Sequence, residues 1–149
     1  MLTDPDETYQ SPSCPIAPAY NDPIIAYLQQ EHVHYAWAIT WIGNPIIFKT
    51  NDGIILSDPR SILYHNGLGR VPAYTEAVLH ADRPAMLTIV KHNDVHPVLL
   101  KILDQKQVTY TAKRFPSEPG YDVLVVTSLS RTVGLSESKA FSAAFPGCI

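Results

Sequence analysis

Hydrophobic and polar positions are most sharply patterned from Tyr35 to Asp58. Read as an extended strand, Tyr35, Trp37, Ile39 and Trp41 share one face, and Ala36, Ala38, Thr40 and Ile42 share the other. One face is bulky and the other nearly smooth. Gly43-Asn44-Pro45 and Asn51-Asp52-Gly53 then cut residues 35–58 into three apolar runs. Gly and Asn tolerate positive φ, and Asn-Asp-Gly suits a tight hairpin. The pattern predicts an antiparallel meander of three strands.

Helical signals flank it. Asp22 suits an N-cap and Pro23 a first helical position, and Ile24, Ile25, Leu28 and His32 follow at helical spacing. A second helix is predicted from about Pro72 to Ala81, with Val71, Tyr74, Val78 and Ala81 on its apolar side. Four further strands are predicted at residues 85–91, 97–104, 107–113 and 121–129, the last as a central strand. In 107–113, Val108, Tyr110 and Ala112 point inward, opposite Thr109, Thr111 and Lys113. Ser136 is expected to cap a short helix carrying Ala140, Phe141, Ala144 and Phe145.

The order is helix, three strands, helix, four strands, helix. Short turns between neighbouring strands favour antiparallel pairing. The expected fold is α+β, a mainly antiparallel sheet of about six to seven strands with two or three short helices packed on it. Its β-β-α-β-β-β core order resembles small sensor or dimerisation domains of the PAS or roadblock kind, in element order alone. Residues 1–21 hold Pro5, Pro12, Pro15 and Pro18 among polar residues and are expected to be an extended or disordered tail. Residues 22–149 are expected to form a single α+β domain.

Of 149 residues, 17% are charged, below the usual figure of about 25%, so part of the surface is expected to meet a partner, such as a second copy in a homo-oligomer. The net charge of −3 argues against nucleic acid, although Lys101, Lys106, Lys113 and Arg114 fall close together. No apolar run approaches the roughly 20 residues of a membrane span, so no membrane partner is expected. The first residues carry no secretory pattern, which points to the cytoplasm with Cys14 and Cys148 reduced.

Two stretches could carry chemistry. The loop at 58–70 places Gly67-Leu68-Gly69-Arg70 just before a predicted helix, where free backbone N–H groups attract anions. Arg60 and Arg70 could grip a phosphate or carboxylate, with His65 and Asn66 as further polar contacts. Trp37 and Trp41 would offer a stacking shelf. The second stretch is His92-Asn93-Asp94-Val95-His96, in which His92, Asp94 and His96 share one face of an extended chain and are suitable metal ligands. Three such ligands with an open position would activate a water for hydrolysis. His32 and His34 could assist. Ser136-Glu137-Ser138-Lys139 matches S-x-x-K without the companion motifs of that enzyme class.

The leading reading is a small binding or interaction module for an anionic small molecule or a protein partner, with no cofactor expected. The alternative is a small hydrolase using the His/Asp cluster, with or without a divalent metal. A third reading is an accessory or inhibitor protein of viral or toxin-neutralising type. The sequence leaves open whether the chain is an enzyme.

Overall fold

The structure is a computed structural model and describes residues 21–63, 72–117 and 120–146. It is α+β, with a five-stranded mixed sheet and six α-helices among the described residues. The elements run α1 (Asn21–Gln30), β1 (Tyr35–Trp37), α2 (Thr40–Lys49), β2 (Ile55–Ser57), α3 (Arg60–Leu63) and α4 (Pro72–Leu79). There follow β3 (Ala85–Lys91), α5 (Val98–Gln105), β4 (Thr111–Pro116), β5 (Tyr121–Thr127), a 3-10 turn (Leu135–Glu137) and α6 (Phe141–Ala144).

The strand order is β2-β1-β3-β5-β4. β1 pairs in parallel with β2 and with β3, while β5 runs antiparallel between β3 and β4. This corrects the mainly antiparallel sheet of six to seven strands, and with it the likeness to PAS or roadblock element order. Two segments read as strands are helices. The first is residues 40–49. An apolar run without periodicity fits a buried helix as well as a buried strand, and here Ile42, Gly43, Pro45 and Ile46 are all buried. Pro45 lies inside the helix, where it leaves one turn without its N–H donor. Gly43 allows the close approach: a Cβ there would stand 3.2 Å from Leu56 Cβ. The expected meander is therefore a β-α-β unit.

The second is residues 98–105. Leu99, Ile102 and Leu103 are buried, whereas Val98, Lys101 and Asp104 are exposed. That is the spacing of one helix face, and it outweighs the shorter apolar alternation. β3 occupies the expected residues 85–91, and β5 is an interior strand as expected. β4 starts later than expected, at Thr111; Val108 is buried, but Ala112 is exposed on this edge strand. Ser136 caps no helix. It lies in the 3-10 turn, where Glu137 accepts from the Gly134 N–H, and Ala140 precedes α6.

Three helices end alike. At α1, Val33 N–H reaches Leu28 O and His32 N–H reaches Gln29 O; α2 repeats this with Asp52 to Ile47 and Asn51 to Phe48, and α5 with Val108 to Leu103 and Gln107 to Asp104. This is the Schellman ending, which needs a left-handed residue. His32, Asn51 and Gln107 supply it at φ of 56°, 50° and 59°, where Gly is the usual choice. The Asn51-Asp52-Gly53 turn is thus real, with positive φ at Asn51 and Asp52, but it joins a helix to a parallel strand and closes no hairpin.

Residues paired across the sheet share a face, so Ala36, Leu56, Leu87 and Val125 lie together. The helices α1 and α2 cover that face: the Tyr27 ring meets Phe115, and Gly43 meets Leu56. On the other face, Ser57 Oγ bonds Thr75 Oγ1 of α4, and Thr88 donates to Ala144 O of α6. The tail expected at 1–21 lies outside the described residues except for Asn21, which is buried in α1. Cys14 and Cys148 lie outside them too. Among the described residues, no helix is long and apolar enough to cross a membrane.

Candidate functional site

At the carboxyl ends of β1 and β2, Asp58 is only 4% exposed. Its Oδ2 accepts from the Thr40 N–H at 3.1 Å and the Thr40 hydroxyl at 3.0 Å, so it supplies the cap that Ile39 cannot give to α2. Arg60 adds Nε at 3.0 Å from Oδ1, NH2 at 2.6 Å from Oδ2 and its own N–H. Burial raises the Asp58 pKa, but the Arg60 and Thr40 hydrogen bonds outweigh it and hold it below the usual aspartate value. The helix N-terminus and Arg60, both suited to an external anion, already hold a carboxylate of this chain. His65, Asn66 and Arg70 lie outside the described residues.

The two tryptophans separate. Trp37 is 2% exposed and belongs to the core, so its ring offers no open shelf. Trp41 is half-buried in α2 and packs on that core. The single strand that would have put them side by side does not exist, because Thr40 starts a helix.

His92, Asp94 and His96 do not converge. They occupy the turn between β3 and α5, where Asp94 Oδ1 accepts from the His96 N–H at 3.0 Å and His96 is exposed. Among the described residues, no three His, Cys, Asp or Glu side chains group so as to hold a metal ion. His92 instead bonds Asp122 of β5, with Nδ1 2.9 Å from Oδ2. Asp122 is 4% exposed and also lies 3.6 Å from Arg114, which donates to the carbonyls of Lys91 and Asp94. An aspartate behind a histidine is the orienting half of an acid–base pair. No nucleophile is hydrogen-bonded to the His92 ring among the described residues. The group locks the turn to the sheet, and Asp122, 30 residues from His92, was invisible to a search for neighbours in sequence.

At the opposite end of the sheet lies a cleft of about 520 Å³, formed by residues 31–35, 81–83 and 127–129. It sits where α1 passes into β1, where the chain enters β3, and where β5 ends. Three residues at its wall have positive φ: His32, Arg83 at 51° and Ser128 at 53°. The helix ending accounts for His32. No helix ends at Arg83 or Ser128, and Arg83 precedes Pro84, a position that favours extended backbone. Such strain costs about 1–3 kcal/mol per residue and gathers at ligand sites. Thr132 Oγ1 holds Arg83 in place by accepting its N–H at 2.9 Å.

Few side chains of this cleft are bound to other described residues. Arg83 is engaged by Asp82 at 3.3 Å and by Leu129 O at 3.5 Å, and His34 Nδ1 lies 3.4 Å from Gly53 O. The side chains of Glu31, His32, Tyr35 and Ser128 have no hydrogen bond or ion pair among the described residues. In the sequence, His32 and His34 stand out only as helpers to a metal site; Glu31, Arg83 and Ser128 carry no local signal of a site. A second cleft of about 450 Å³, between β3 and the α5–α6 pair, is largely apolar. Comparison with known proteins finds no matching family model, no similar curated protein and no similar solved structure.

Proposed function

We propose that this chain is a binding module and that its ligand is a small molecule held in the cleft of residues 31–35, 81–83 and 127–129. One observation carries the reading: exposed polar side chains with no partner among the described residues line, from separate segments, a cleft where two residues outside any helix ending have left-handed backbone. A volume near 520 Å³ lies within the range of small-molecule pockets, about 300–1,000 Å³. The acid–base and metal groupings that would favour a hydrolase lack a nucleophile and a third ligand among the described residues. A fragment screen of the full chain by two-dimensional amide NMR tests this. Hits should shift the amides of 31–35, 81–83 and 127–129 together. Hits confined to the apolar cleft around Ile89, Val98 and Tyr121 would refute the assignment.

A further inference from the structure

We infer that the cleft takes a neutral polyhydroxylated ligand, a saccharide, rather than an anion; this rests on the binding reading above. Charge comes first. With histidines neutral, the wall carries Glu31, Asp82 and Arg83. Arg83 is paired with Asp82, so Glu31 remains as an uncompensated negative charge. A phosphate or carboxylate entering there meets two carboxylates against one permanent cation, which already lies beside one of them.

Hydrogen-bond chemistry comes second. Glu31 only accepts, and the Ser128 and Tyr35 hydroxyls donate and accept. Such a mixed set is matched by groups that both donate and accept, which is what each sugar hydroxyl does. The cleft also has an apolar side: Tyr35 is 39% exposed, and the half-buried Val33 and Ala81 are among the other lining residues. An aromatic face with a polar tip suits a ligand whose ring presents C–H groups on one side and hydroxyls at its rim.

The test is a glycan array carrying neutral, amino and acidic saccharides, probed with the full chain. It is followed by amide NMR titration with the best binder, inorganic phosphate and citrate. Neutral saccharides should bind, shift residues 31–35 and 127–129, and lose tenfold or more in affinity in Glu31→Gln and Tyr35→Ala. Glu31 and Tyr35 are exposed, and Glu31→Gln keeps the shape of the side chain, so it separates recognition from folding. Binding of phosphate or citrate in the cleft without any saccharide would overturn the inference and leave the cleft as a site. Saccharide binding that ignores both variants and shifts residues elsewhere would overturn both. An array with no bound saccharide would overturn the saccharide assignment.

Discussion

The two ends of the sheet handle polar groups in opposite ways. At the carboxyl ends of β2 and β3, Asp58 and Asp122 are buried, and both are held by cations of the same chain. At the other end, Glu31, His32, Tyr35 and Ser128 surround a cleft and are held by nothing among the described residues. Buried polar groups are costly unless satisfied, so the first set is explained by folding alone. The second set lies in solvent, where folding neither requires nor forbids a partner. In open sheets with parallel strands, ligands usually lie beyond the carboxyl ends. Here Arg60 and Arg114, near that end, already hold the protein's own carboxylates, Asp58 and Asp122.

The strongest way to break this contrast is Asp58→Ala. It removes the cap of α2 and leaves the Arg60 guanidinium, whose side chain is only 18% exposed, without its carboxylate. A loss of about 1–3 kcal/mol is expected in urea unfolding, from the lost cap and the lost charged hydrogen bonds. A loss under about 1 kcal/mol would show that the carboxyl end is not held by this group.

Acid should act next. The Asp58 pKa is lower folded than unfolded, so its stabilisation is complete above about pH 4 and fades as pH falls through the folded value. Glu137 behaves in the same sense: Arg131 and the Gly134 N–H hold it at about 2 against an ordinary 4.5. Unfolding free energy should therefore fall between pH 4.5 and pH 2, and Glu137→Gln should flatten part of that slope. Identical slopes in the variant and the parent would remove Glu137 from the account.

The smallest effect belongs to the cleft. Glu31→Gln should change stability by no more than about 0.5 kcal/mol, because an exposed side chain without partners contributes little to folding. A larger loss would make Glu31 a structural residue and erase the difference between the two ends.

These contrasts follow how much of the molecule was legible from sequence. α1, α4, β3 and β5 were found because caps and apolar spacing are local. α2 was missed because Thr40 to Lys49 is apolar on nearly every side, which carries no period to separate helix from strand. α5 was legible in the spacing of Leu99, Ile102 and Leu103 but was masked by the β-favouring run around it. Taking α2 for strands turned a parallel crossover into hairpins and inverted the sheet. The candidate site was hidden for a different reason. Its walls come from three segments, and the pairing of β1 with β3 and of β3 with β5 brings them together across gaps of about 50 residues.

The place of β5 between β3 and β4 also has a consequence during synthesis. β1 precedes β3 in the chain, but the other edge of β3 is completed only by Tyr121–Thr127. Until then the stretch Met86-Leu87-Thr88-Ile89-Val90 presents open backbone groups on an apolar, β-favouring strand. The ribosome thus makes an apolar strand of this protein well before the strand that covers its edge.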